Sequence, residues 1–260
     1  MGKYDKKKLI VFDLDGTLTE TKSNLEPYMA KTLRMLLKEK KVAVIGGGSY
    51  GQFRKQFISN LDCPPNLLNN LFLFPTTATS FYRYSTGWKN VYAHFLTQTQ
   101  KQKIRRAVKE VFKDADYIPP EKIYGKTLED RKSQMSYSFL GQDVVAKLGA
   151  KGVRLKEEWI KKNKPLKLKI ASMLQKKLPG LEVHAAGFTT IDITKRGIDK
   201  AYGVRQIEKQ LHIPIRAMIF IGDALFPGGN DQAARKTGIQ CIPVRGPKDT
   251  ERIIRQIIAK

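Results

Sequence analysis

Two aspartates one residue apart, Asp13 and Asp15, close the apolar run Leu9-Ile10-Val11-Phe12 and lead into Gly16-Thr17-Leu18-Thr19. Side chains at i and i+2 of a strand point the same way, so this spacing directs both carboxylates to one pocket. Carboxylates that close repel and displace each other's titration unless a cation lies between them or one keeps its proton. The pair suits phosphoryl chemistry in which one carboxylate attacks phosphorus, the other moves a proton, and a hard cation such as Mg²⁺ neutralises the oxygens. Gly16 permits a tight turn, and the Thr17 hydroxyl can hold an oxygen. Asp and Gly after a strand also suit a plain polar turn, but the full hydrophobic-DxDGTxT string is much more specific than a bare DxD.

A second apolar run, Ile219-Phe220-Ile221, ends in Gly222-Asp223, and a glycine-rich turn follows to Asn230-Asp231. Oxygen ligands at two points of a flexible loop suit Mg²⁺, which keeps several waters. Asp223 is the first candidate, with Asn230 and Asp231 behind it; either of the latter would serve equally well as a helix N-cap.

These residues must be held by a frame, and the hydrophobic pattern supplies one. Apolar positions at helical spacing run from Leu25 to Glu39, Val42–Ile45 reads as a strand ending in Gly46-Gly47-Gly48-Ser49, and a helix over 52–61 and a strand over 71–74 follow. Strand–helix–strand order implies parallel crossovers. From residue 83 the rhythm changes. Aromatics crowd 81–95, a basic amphipathic helix covers 104–112, a strand alternates over 133–140, a second basic helix covers 161–178, and strands follow at 181–186 and 189–194. The parallel pattern then resumes: helix 200–211, strand 217–221, a short helix at 232–237, strand 240–244 and a closing helix at 250–258. The predicted fold is α/β, with a Rossmann-like core formed by 1–82 and 188–260 and an inserted α/β cap at 83–187. Open α/β sheets bind ligands beyond the carboxyl ends of their strands, so the insert is expected there.

The first string resembles the first motif of the haloacid dehalogenase-like (HAD) superfamily, and the Gly222-Asp223…Gly228-Gly229-Asn230-Asp231 segment resembles its fourth motif in the form found in phosphomannomutases and their bacterial subfamily IIB relatives. The resemblance implies that Asp13 is the nucleophile, forming an aspartyl phosphate, and that Asp15 is the general acid/base. Mg²⁺ would be held by Asp13, the Asp15 backbone carbonyl and Asp223. Thr189-Thr190-Ile191-Asp192 followed by Gly197-Ile198-Asp199-Lys200 looks like the stretch that carries sugar contacts, here Thr190 and Asp192, and then the third-motif lysine, here Lys200. Glu129 to Gln142 resembles the cap strand pair that supplies phosphate-binding arginines, and Arg131 matches the first. Gln142 stands where the mutases have a second arginine, and Lys22 where they have one just after the first motif. The second-motif hydroxyl position is taken by Gly46. The nearest hydroxyl is Ser49, and Gly47 within the run offers backbone N–H groups for phosphate.

At 260 residues with a mean hydropathy of −0.39, the chain can bury a real core. No run approaches the ~18 apolar residues of a membrane span, and Met1 to Lys8 is charged and polar, without a signal-peptide core. Two cysteines, Cys63 and Cys241, suggest neither a disulfide frame nor a zinc site, so a cytoplasmic setting is expected. His94, His184 and His212 show no catalytic spacing. The net charge is +24, and residues 83–187 carry 23 basic against 10 acidic side chains. Such a field attracts anions without naming one. The expected activity is a phosphatase or phosphotransferase acting on a small phosphorylated sugar, with a phosphomannomutase as the alternative, and the resemblance leaves room for a homodimer through the cap. A nucleic-acid-binding protein using the basic insert with Trp88, Tyr92 and Phe95 is the reading of another class.

Overall fold

The computed structural model describes residues 4–259, so the first three residues of the charged amino terminus lie outside the described residues. The chain divides into two compact units, 1–93 with 199–260, and 94–198.

The first unit is built on a seven-stranded sheet in the order β11-β10-β1-β2-β3-β4-β5. Its parallel strands are β1 (Leu9–Asp13), β2 (Lys41–Ile45), β3 (Leu71–Phe74), β10 (Met218–Gly222) and β11 (Gln240–Pro243). Alternation along these strands feeds two cores. Ile10, Phe12, Val42, Val44, Ile219 and Ile221 face helices α1 (Pro27–Glu39) and α6 (Pro247–Ile258). Leu9, Val11, Ala43, Ile45, Met218 and Phe220 face the other side, where Val204 and Ile207 of helix α5 (Lys200–Leu211) pack. A strand buried on both faces needs apolar residues throughout, which is why these runs do not alternate with polar ones.

Two antiparallel strands, β4 (Ser80–Tyr84) and β5 (Trp88–Ala93), extend this sheet past β3. The aromatics from Tyr84 to Phe95 were expected in the insert at 83–187. Phe81, on the core side of that boundary, is buried in the first unit and stacks on Phe74, and Tyr92 packs against the same cluster and Trp88 against the other. Only Phe95 of that group lies in the second unit, and it is exposed.

The second unit holds a four-stranded antiparallel sheet in the order β6-β7-β9-β8, made of β6 (Leu128–Asp130), β7 (Met135–Ser138), β8 (Leu181–His184) and β9 (Thr190–Lys195). Strand β9 pairs with β7 and β8, so the stretch 188–198 belongs here and both junctions fall later in the chain than 82 and 187. Helices α3 (Gln98–Asp114) and α4 (Ala150–Lys177) bury Ile104, Val108, Val111, Ile170 and Leu174 with Met135, Tyr137, Ile191 and Ile193 of the sheet. No helix among the described residues is long and apolar enough to cross a membrane.

Candidate active site

The parallel register of β1, β2 and β10 brings three strand ends to one edge of the first unit's sheet, and Asp13, the glycine run and Asp223 all sit there. Asp13 continues the face of Leu9 and Val11, the face against which α5 packs. Lys200 is the first residue of α5, whose N-cap Asp199 accepts a hydrogen bond from the Tyr202 N–H at 2.8 Å. The helix therefore starts directly over the end of β1, and the Lys200 ammonium, nearly fully buried, donates to Asp13 Oδ1 and to the Ile45 carbonyl at 3.2 Å. It also lies 3.0 Å from Asp231 Oδ1.

Oxygens of Asp13, Asp223 and Asp231 all lie within 4.8 Å of one another. Two glycines permit this approach. A Cβ on Gly222 would stand 2.3 Å from Asp231 Oδ2, and Gly16, with φ at +86°, would place one 2.7 Å from Asp223 Oδ2. The Asp231 carboxylate also accepts from the Ala224 N–H at 3.0 Å. Burial drives the Asp13 carboxyl well above its ordinary range; Lys200 opposes this, while Asp231 and Asp223 add to it. Burial likewise raises Asp223 to about 6, with Asp231 contributing and the Thr17 hydrogen bond opposing. For Lys200 burial favours the neutral amine, but Asp13 and Asp231 outweigh it and hold the ammonium above its ordinary value. Three converging carboxyls set against one ammonium leave negative charge uncompensated, and hard oxygen donors of this kind fit Mg²⁺.

The other residues expected near these acids are held as follows. The Thr17 hydroxyl donates to Asp223 Oδ1 and accepts from the Asp223 N–H, both at 3.1 Å, so it braces that carboxylate. Asp15, half-buried, contributes no carboxylate to the acidic group; its Oδ1 accepts from the Lys22 N–H at 2.6 Å. Lys22 adopts a left-handed φ of 55°, which turns that N–H back toward Asp15. Asn230 is exposed at the start of a 3-10 helix over Asn230–Thr237, whereas Asp231 points inward; of the two residues left open by the sequence, Asp231 joins the acids.

The glycine run is held from behind. Thr77 N–H donates to Gly46 O at 2.9 Å and Thr76 N–H to Gly48 O at 2.8 Å, with half-buried Gly47 between them. Ser49 caps helix α2 (Tyr50–Phe53), its Oγ accepting from the Gln52 N–H at 3.3 Å and its own N–H donating to Gln52 Oε1 at 2.7 Å. That N–H is therefore committed to a capping box, and the hydroxyl proton is what Ser49 retains for a ligand.

The remaining predicted residues belong to the second unit and form a largely buried polar set of their own, in which Gln142 is half-buried. Arg131 Nε donates to Glu129 Oε2 at 2.7 Å and its Nη2 to Gln142 Oε1 at 3.3 Å, while Gln142 Nε2 donates to Ser136 O at 3.0 Å. Ser136 Oγ in turn donates to Asp192 Oδ1 at 2.6 Å. Thr190 lies two residues before Asp192 on β9, on the same face. Sequence reasoning missed Lys167, read only as part of a basic helix. It is buried, with Nζ donating to the carbonyls of Ala186 at 2.9 Å and Gly187. Burial lowers its pKa to about 8, Asp192 working against that shift. Helical spacing alone puts Lys167 beside the apolar Ile170 and Leu174, and that was the available signal. Of the histidines, His184 Nε2 pairs with Ile198 O at 2.9 Å and His212 closes α5 in a left-handed conformation, both structural roles.

A family model described as haloacid dehalogenase-like hydrolase matches residues 10–231. The phosphomannomutase of Encephalitozoon cuniculi is 25% identical over 260 residues, covering 98% of this chain and 95% of that protein. The Schizosaccharomyces pombe phosphomannomutase is 26% identical over 229 residues, covering 86% and 84%. Among solved structures, an IMP-bound Plasmodium falciparum IMP-nucleotidase superposes with a TM-score of 0.68 at 15% identity, covering 97% of this chain and 68% of that one. A haloacid dehalogenase-like hydrolase from Bacteroides thetaiotaomicron superposes at 0.60 with 14% identity, covering 96% and 99%. The strand-end aspartates, the lysine opening α5 and the match from residue 10 to 231 together place this chain in the haloacid dehalogenase-like hydrolase family, as a phosphomannomutase-like phosphoryl-transfer enzyme.

Proposed function

We propose that the protein hydrolyses a phosphorylated sugar through an aspartyl phosphate on Asp13, with Mg²⁺ as cofactor. The observation that carries phosphoryl transfer is Lys200 bonded to Asp13 at a strand end shared with Asp223 and Asp231. The sugar is suggested by the phosphomannomutases that match nearly the whole chain.

Asp13 attacks phosphorus, forming the new P–O bond as the bond to the leaving oxygen breaks. Asp15, its Oδ1 fixed by the Lys22 N–H, gives its proton to that oxygen and then, as a base, takes one from the water that attacks the phosphoaspartate. Lys200 orients Asp13 and offsets the charge gathered on the transferring group. Asp13, Asp223 and Asp231, with the Asp15 carbonyl, would hold Mg²⁺, whose charge keeps the carboxylates ionised and stabilises the phosphoryl oxygens. Thr17 positions Asp223. The glycine run, through Gly47 and the Ser49 hydroxyl, and Lys22 are assigned to the phosphoryl group. Arg131, Gln142, Thr190 and Asp192 are assigned to the sugar.

A mutase must grip a second phosphate firmly, and bidentate arginines do this best. In this chain Arg131 is engaged by Glu129 and by Gln142, a neutral side chain, which supports hydrolysis. The phosphomannomutase reading rests on the length of the match to those relatives. A panel of sugar phosphates with Mg²⁺, assayed for free phosphate and for isomer, separates the two. Phosphate release that disappears in Asp13→Asn supports hydrolysis. Conversion of mannose 1-phosphate to the 6-phosphate, with a bisphosphate activator and little release, would replace it with the mutase.

A further inference from the structure

Helix α4 turns two unlike faces. Ile170, Ala171 and Leu174 are buried in the second unit's core, with Trp159, Leu166 and Met173 packed against it. The outer face carries Lys161, Lys162, Lys164, Lys169 and Lys176, all exposed, and no acidic residue occurs from 159 to 177. Exposed arginines elsewhere are answered one turn away: Arg106 by Glu110, Arg245 by Asp249 and Arg255 by Glu251. The five lysines have no ion pair among the described residues.

The row extends roughly 22 Å along the helix at about 1.5 Å per residue. A nucleic-acid duplex presents one negative charge for about every 1.7 Å of its axis, so such a row meets several phosphates at once. Single-strand binding sites add aromatic platforms for the bases, and this face has none. A helix lying in a membrane surface needs a wide apolar face outward; on α4 that face is buried, and Leu168 is the one large apolar residue left half-exposed. We propose that the outer face of α4 binds the phosphate backbone of a nucleic-acid duplex without reading its bases.

The test measures anisotropy of a fluorescent DNA duplex against the full-length enzyme over a range of salt. Five contacts predict a slope of log K against log salt of about −4.5, and Lys161→Gln/Lys164→Gln/Lys169→Gln should make it shallower by about 2.7. Lys31→Gln/Lys38→Gln/Lys41→Gln removes the same charge from exposed positions of the first unit and should leave the slope unchanged. Phosphate release should be normal in both. Equal loss in the two triple variants would overturn the proposal, as would no duplex binding at low salt. Tighter binding to phosphatidylserine vesicles than to the duplex would also overturn it and assign the face to a membrane surface.

Discussion

Two side chains show how single residues set up the chemistry here. Lys200 is the cation bonded to Asp13, so Lys200→Met should lower turnover by at least about 100-fold, the scale of losing one positioned charge stabiliser, with an unchanged circular dichroism spectrum. Thr17 acts one step back, on Asp223. Thr17→Val should weaken Mg²⁺ affinity by roughly 10-fold, as loss of an outer partner does at metal sites, and Mg²⁺ titration of activity measures it. Lys167 offers a prediction in pH. Its folded pKa of about 8 lies below the free value of 10.5, so the unfolded chain binds more protons between the two. Stability contributed through this group therefore rises as pH climbs from 8 toward 10.5, by about 2 kcal/mol between pH 8 and 9.5. Urea unfolding at pH 7.5 and 9.5 should show that rise in the wild type and not in Lys167→Met.

At the scale of elements, the site is legible in the sequence wherever a strand end and its turn carry it. Asp13, Asp15, Asp223 and Asp231 stand in short strings whose local geometry is fixed by the strand before them. Lys200 was found through resemblance, since its own neighbourhood reads as a surface helix. Elements placed by distant partners were not legible. The period of β9 is the same whichever sheet it joins, so Thr190–Lys195 was assigned to the wrong side of the junction. Helix α4 begins eleven residues before the expected start at 161, because Gly149 and Gly152 interrupt the pattern. Gly152 is there for close approach, a Cβ standing 2.6 Å from Val144 O. The turn that braces the glycine run was also invisible: Thr76, Thr77 and Ala78 all have positive φ, between 50° and 63°. Left-handed non-glycine residues cost about 1–2 kcal/mol each, so Thr77→Gly should raise the unfolding free energy by about 1 kcal/mol, seen as a higher urea midpoint. A lower midpoint would show that the Thr77 side chain outweighs the strain.

For the whole molecule, division into two units means that ligand effects can be local. Asp13, Asp223 and Asp231, the ligands proposed for the cation, all belong to the first unit, so Mg²⁺ should slow amide hydrogen exchange around 13–18 and 222–225 and leave the strands at 135–138 and 181–184 unchanged. Uniform slowing across both units would argue against that assignment. Asp13 is proposed to carry the phosphoryl group during turnover. Rapid quenching during turnover of a reactive sugar phosphate, followed by peptide mass spectrometry, tests it most directly. The peptide containing Asp13 should carry one added phosphoryl group, lost on hydroxylamine treatment and absent from Asp13→Asn. Turnover that leaves this peptide unmodified, or that persists in Asp13→Asn, would contradict it.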